Sequence, residues 1–350
     1  MTAAVQHIIL DASADGQRLD RWLKKTYPAL SFGQLQKLIR TGQIRIDGKR
    51  AKGDSVLQEG QDMRLPPALT GAPPKMSNSR SLEPTDKERA QIRGMVIYED
   101  DNLIALNKPH GLAVQGGTKT THHIDRLLPA LAGRNGFIPK LVHRIDKDTS
   151  GLLLLAKSNE YAKILAEKFK SRDIRKTYIA LCAPTPTIHD GTIKAALVKT
   201  SQGHGHDREQ VVVDEEFGKS AVTDYRVIDH AGRSAALVAF FPRTGRTHQI
   251  RVHSQVMGSP ILGDPKYGLD HRRVHSAEVG EYLENSAEGL LDLCDYRGLH
   301  LHAYAVHLSL PGYRGGLSLK APLSREIQSS MRRLGFSGLD LDLIDPFTNP

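Results

Sequence analysis

Cysteine is almost missing from this chain: Cys182 and Cys294 are the only two among 350 residues, far apart and without metal-ligand spacing. A disulfide framework is thereby excluded, and a reducing cytoplasm is the expected compartment. Met1 to Ala14 lacks the basic-then-apolar pattern of a secretory signal. No apolar run approaches the ~20 residues that span a bilayer, so no membrane role is expected. The pair Gly116-Gly117 is not followed by Gly-Lys-Ser/Thr, which leaves a phosphate loop unsupported. The 16 histidines include no His-Glu-x-x-His pattern, so surface positions are expected for His300 and His302 rather than a metal site. What the chain does have is positive charge, +9 net with a pI of about 9.4. That balance favours an anionic partner, nucleic acid before an acidic membrane surface. Its length predicts two domains, and 39% hydrophobic with 25% charged residues suffices for a sizeable core.

Residues 5–10 read as a lead-in strand. Between Gly16 and Pro66 there are eleven Lys/Arg against five Asp/Glu. Leu19, Trp22, Leu23 and Tyr27 share one face of a short helix that Pro28 stops. Ser31 is placed to cap a second helix with Leu35, Leu38 and Ile39 on its apolar face, and Gly42 to end it. Ile44 and Ile46 then alternate with polar residues before Asp47-Gly48, a hairpin turn signal. Arg18 and Arg21 lie off the first apolar stripe, Lys37 and Arg40 off the second, and Arg45 on the hairpin. Such a basic surface suits docking on RNA phosphates, sequence-tolerant and salt-sensitive. The run Gly16-Gln-Arg-Leu-Asp-Arg-Trp-Leu23, with Gln34 to Lys49, closely resembles the S4 RNA-binding domain over residues 16–66.

Residues 67–94 read as a flexible linker rich in Pro, Ser, Gly and Thr. Val96–Tyr98 and Leu103–Leu106 flank a polar turn, which predicts a hairpin. A helix start is expected at His122–Leu128. Leu152–Ala156 reads as a buried central strand, followed by a helix with Tyr161, Ile164, Leu165 and Phe169 on one face. Thr177–Cys182, Ala221–Ile228 and Ala235–Phe241 read as further strands. The fold class is therefore α+β: a small α/β front module, then a large mixed, mainly antiparallel sheet with flanking helices over 95–325, and a C-terminal helix and tail over 326–350.

Two polar clusters interrupt this scaffold. His143 to Ser150 carries Arg144, Asp146, Lys147 and Asp148, too many charges to bury unless they pair or act, and it leads straight into the central strand. Loops held by rigid scaffolds concentrate function. The second cluster, Arg243 to His253, alternates from His248 onward, which predicts a strand with Gln249, Arg251 and His253 on one face. The loop after it holds Gly263 and Gly268, which could let backbone approach a ligand.

His143-Arg-Ile-Asp-Lys-Asp-Thr-Ser-Gly151, Lys176-Thr-Tyr178, Thr244-Gly-Arg-Thr-His-Gln-Ile-Arg-Val-His253, Ile261-Leu-Gly-Asp264 and Leu301-His-Ala303 occur in the order found in RluA-type pseudouridine synthases. Over residues 95–325 the chain is similar to that family, and its S4-like front end resembles the RluC/RluD branch, the RluC side more closely through Asn107 to Gly117. The resemblance implies isomerisation of uridine to pseudouridine in RNA, with large-subunit (23S) ribosomal RNA, free or in an assembling subunit, as partner and a monomeric cytoplasmic enzyme. The reaction it implies oxidises nothing and adds no group from solution, so neither cofactor nor metal is expected.

By the same resemblance Asp146 is the nucleophile, Arg251 the arginine that pairs with it, Tyr178 the ring that stacks on the target base, and Arg144 a residue that fills the vacated space or holds a phosphate. Arg246 and Lys108 are expected on phosphate, with His143, His248 and Asp148 organising loops. An acidic stretch over 269–298 and the pair His204/His206 have no role in this scheme. Rival readings are a kinase, which needs a contiguous His-Arg-Asp and an Asp-Phe-Gly, and a glycoside hydrolase using Asp146 and Asp148, too close in sequence to flank a sugar bond. The alternative from another class is a non-catalytic RNA-binding or ribosome-assembly factor on the same scaffold.

Overall fold

A computed structural model describes residues 5–69 apart from Ala29, 83–116, 120–200, 210–268 and 289–336. The chain divides into two compact units, Met1–Glu83 and Pro84–Pro350. In the first, β1 (Gln6–Ile9), β4 (Asp62–Leu65), β2 (Arg45–Ile46) and β3 (Lys49–Arg50) form a sheet in that order, with α1 (Leu19–Thr26) and α2 (Phe32–Arg40) sharing its core. Leu19 and Leu23 of α1 and Leu35 and Ile39 of α2 are buried there with Met63 and Leu65. Each such side chain contributes about 1.5–3 kcal/mol relative to exposure. Ser31 and Gln34 cap α2 reciprocally, which satisfies two otherwise orphaned N–H groups. Asp47 and Gly48 both have positive φ, the conformation of a tight hairpin turn. Arg18, Arg21, Lys37, Arg40 and Arg45 are all exposed.

The second unit begins earlier than expected. Residues 84–94 are not linker, because Thr85 and Glu88 form a capping box that starts α3 (Asp86–Arg93). Ile92 is buried, and Glu88 pairs with Arg126 at 2.7 Å on α4 (Ile124–Leu127). Residues 70–82 of the expected linker lie outside the described residues.

The sheet of this unit is formed by β5 (Val96–Glu99), β6 (Leu103–Lys108), β7 (Lys140–Leu141), β8 (Ser150–Ala156), β9 (Arg175–Cys182), β10 (Asp190–Thr200), β11 (Gln210–Val213), β12 (Lys219–Ala231), β13 (Ala235–Pro242), β14 (Leu301–Leu308) and β15 (Leu317–Lys320). Its path runs β11-β10-β12-β13-β9-β14-β8-β6-β5, with β15 on β14 and β7 on β8. Every pairing among the described strands is antiparallel except β14 with β8. Helices α5 (Asn159–Ser171), α6 (Gln249–Val256) and α7 (Arg325–Arg333) complete it. All seven residues of β8 and all eight of β13 are buried, so both strands are covered on both faces.

The parallel contact explains Gly151. It pairs with Ala303 at φ +106°, and a Cβ there would stand 2.2 Å from the Ala303 carbonyl oxygen. Gly151→Ala is expected to cost more than the about 1–3 kcal/mol of an unfavourable backbone conformation alone, because backbone cannot move aside as a side-chain tip can. A fall in the urea midpoint of unfolding would show it; a wild-type midpoint would mean that β8 and β14 separate freely.

Two expectations fail here. Residues 249–256 form helix α6, not a strand: Gln249 to Ser254 are buried all round the helix, so the polar/apolar alternation reported neither burial nor period. His300 and His302 are fully buried, not superficial. His302 bonds Ser150 Oγ at 2.8 Å and the Ala321 carbonyl, and His300 bonds Ser330 Oγ at 2.8 Å and the Leu262 carbonyl. Burial lowers both pKa values to about 4, so both rings are neutral hydrogen-bonding links within the core.

Candidate active site

The first polar cluster is a loop between β7 and β8, held from both sides. Lys108, at the end of β6, is fully buried. Its ammonium donates to the carbonyls of Pro109, Leu112 and Lys147 at 2.8–2.9 Å. Burial pulls the lysine pKa down to about 7, but three carbonyl acceptors call for all three N–H groups of the protonated form. Gly111 N also donates to the Lys147 carbonyl. Lys108 is therefore not a phosphate contact: it clips the residue after Asp146 to the 109–112 turn. On the other side, His143 Nε2 accepts from Leu154 N at 2.8 Å, and its ring stacks on Phe169. Burial, helped by the Lys176 charge, lowers its pKa to about 3, which suits an acceptor nitrogen. Asp148 stands 3.9 Å from His110.

The opposite wall is the 242–248 segment between β13 and α6. The Gln249 amide accepts from Thr244 Oγ1 and Arg246 N, and donates to the Val222 carbonyl and Thr223 Oγ1. A third wall is β9, where Tyr178 and Lys176, two residues apart, point to the same face. Together they enclose a pocket of about 150 Å³, lined among others by Arg144, Asp146, Lys176, Tyr178, Arg246 and Arg251. Asp146 keeps 23% of its side chain exposed, enough to meet a substrate. Burial and the nearby Asp146 charge raise the Tyr178 pKa, so the phenol holds its proton at neutral pH.

Arg251 reaches this pocket, but its hydrogen-bond partner is Asp264 rather than Asp146. Nε and Nη2 bind the two Asp264 oxygens at 2.8 and 2.6 Å, with both side chains almost wholly buried. Burial works against the guanidinium charge; the Asp264 bonds and charge, with Asp146 behind them, more than reverse it. One bidentate edge is thus committed to orientation, and Asp146 interacts with Arg251 through the field. Asp264 also accepts from Lys266 N and Tyr267 N, and the Tyr267 ring lies under Arg251 at 5.1 Å.

Residues 102–255 match the family model described as RNA pseudouridylate synthase, and residues 17–62 match the S4 domain. The chain is 31% identical over 333 residues to ribosomal large subunit pseudouridine synthase C of Escherichia coli (strain K12), covering 95% of this chain and 98% of that protein. The chain belongs to the RNA pseudouridylate synthase family. The protein of the same name from Rickettsia bellii is 36% identical over 282 residues, covering 79% of this synthase and 91% of its own length. Among solved structures, human RNA pseudouridylate synthase domain containing 4 superposes with a TM-score of 0.55 at 29% identity, covering 71% of this chain and 97% of that one. The synthase is an enzyme that isomerises uridine in RNA, and the reading as a non-catalytic scaffold is not favoured.

Of the residues expected at the synthase site, Asp146, Tyr178, Arg251, Arg144 and Arg246 share one pocket, whereas Lys108 lies beneath its loop. His253 is buried on α6 and does not line it. Gly263 and Gly268 approach backbone, not a ligand: a Cβ at Gly263 would stand 2.1 Å from the Gly298 carbonyl oxygen, and one at Gly268 2.6 Å from that of Asp264. Sequence reasoning placed Asp264 at the end of a family motif without giving it a role, and it missed Tyr267, whose signal was only its place in a glycine-punctuated loop. It also left Lys176 without a role; burial lowers this lysine's pKa to about 8, with the Arg172 charge adding to the effect. The pair His204/His206 and acidic residues 278–288 lie outside the described residues, while Asp295 pairs with Arg333 of α7 at 2.8 Å.

Proposed function

We propose that this synthase modifies uridine in large-subunit ribosomal RNA, free or in an assembling subunit, as a cytoplasmic monomer, with Asp146 as its nucleophile. The observation that carries the reading is convergence. Asp146, Tyr178 and Arg251 come from a loop, a strand and a helix far apart in sequence, yet line one pocket. In the reaction the N1–C1′ bond breaks, the base turns, and C5 bonds to C1′; C5 loses its proton and N1 gains one. An ionised carboxylate divides that exchange into two easier steps. Tyr178 offers a protonated phenol and a ring for the base, which must leave its stack to enter. Arg144, Arg246 and Lys176 rim the pocket as cations for the flanking phosphates. On the first unit, Arg18, Arg21, Lys37, Arg40 and Arg45 are exposed for sequence-tolerant RNA contact.

The names of the relatives support the ribosomal target. The test is to map pseudouridine along ribosomal RNA from cells with and without the gene. Loss of modification at one or more large-subunit uridines is expected. An unchanged large-subunit map would remove the ribosomal assignment and leave the chemistry standing.

A further inference from the structure

We propose that His248 is a positioning residue for the reactive carboxylate: Tyr267 holds its imidazole with the proton on Nε2, facing Asp146. The inference rests on Asp146 being the nucleophile.

The first observation is backbone conformation. His248 sits at the N-terminus of α6 with φ 54° and ψ 18°, in the left-handed region, and its side chain makes no cap hydrogen bond. Two other non-glycine residues have positive φ among the described residues: Asp47 in a hairpin turn and Arg172 at the C-terminal end of α5. Both are places where a left-handed residue is routine. At a helix start it is not, and such conformations persist where the surroundings over-determine them.

The second observation is the Tyr267 hydroxyl that meets the imidazole. Tyr267 is fully buried and its hydroxyl accepts from Val211 N at 2.9 Å. Burial pushes the phenol up to about 12, so it keeps its own proton to donate. His248 Nδ1 lies 2.7 Å from that oxygen. When Nδ1 accepts, a neutral imidazole carries its hydrogen on Nε2. Burial favours the neutral ring, and the charges that face it are Asp146, Arg251, Lys266 and Asp264, two of each sign.

The third is reach. Nε2 stands 3.9 Å from Asp146 Oδ2, about 1 Å beyond a hydrogen bond, a gap that catalytic contacts commonly close when substrate binds. The edge of Arg251 formed by Nε and Nη2 is taken by Asp264, and His248 adds an oriented N–H donor beside the carboxylate. A donor on one carboxylate oxygen pins its rotamer and turns the other oxygen toward the base and sugar. Because the ring is neutral, it orients the nucleophile without cancelling its charge.

The test uses the full-length enzyme and a large-subunit ribosomal RNA transcript carrying uridine tritiated at C5, since formation of the new C–C bond releases that hydrogen to water. Tyr267→Phe and His248→Leu are expected to lower the single-turnover rate at saturating RNA on the order of 10²-fold, the scale of a misplaced reacting group, with the RNA dissociation constant unchanged. His248→Gln, which restores an N–H donor, should recover most of the rate. Wild-type rates in Tyr267→Phe and His248→Leu would overturn the proposal. So would a rate loss that His248→Gln does not recover in proteins of wild-type melting temperature. Asp146→Asn in the same assay reports separately on the nucleophile: if it releases tritium at the wild-type rate, that assignment fails whatever the His248 variants do.

Discussion

Asp146→Asn is expected to abolish pseudouridine formation, by on the order of 10⁴-fold or more, while RNA affinity stays near wild type. The amide has the shape of the carboxylate but no nucleophilic oxygen anion. Its fold should not suffer, because the side chain is partly exposed and the bond that closes the loop, Thr149 N to the Asp146 carbonyl, is made by the backbone. Substitutions of that kind change stability by about 0.5 kcal/mol or less. Filter binding of a large-subunit RNA transcript, with tritium release from the same RNA, separates the two effects. Modification at the wild-type rate would exclude Asp146 as the nucleophile.

The second large effect is on stability and activity together. Arg251→Met strips Asp264 of its bidentate partner inside the protein, where the two side chains are 2% and 0% exposed. An uncompensated buried charge typically costs about 3–5 kcal/mol. The backbone N–H groups of Lys266 and Tyr267 still reach Asp264 and soften the loss. Adding Asp264→Leu to Arg251→Met should restore much of the stability, because two apolar side chains can replace a buried ion pair. Activity should remain lost in the double variant, since the cation near Asp146 is gone. Urea unfolding and tritium release check the two halves. An active double variant would make Arg251 purely architectural.

Much of the front unit was legible from local chemistry. Ser31 with Gln34, the Leu19 and Leu23 stripe, and Asp47-Gly48 each act within a few residues of themselves. The same grammar would have shortened the linker, since Thr85 and Glu88 form a capping box of the same type. Helix α6 was misread because a strand pattern assumes one wet face, and α6 has none over residues 249–254. Lys108 was misplaced for a related reason: a lysine in a charged motif reads as exposed until its three carbonyl partners, one of them 39 residues away, are known.

The sequence by itself determined the class of partner, the small front module, the antiparallel core, and the motifs that carry Asp146, Tyr178 and Arg251. These follow from net charge, short-range periodicity and residue order, which folding does not alter. Only the tertiary structure decided which side chain answers which. It gave Arg251 to Asp264, turned Lys108 into a clip under the Asp146 loop, and set His248 between Tyr267 and Asp146. Partner choice among buried charged and polar groups depends on distances between segments distant in sequence, because each group needs a donor or acceptor that offsets its loss of water.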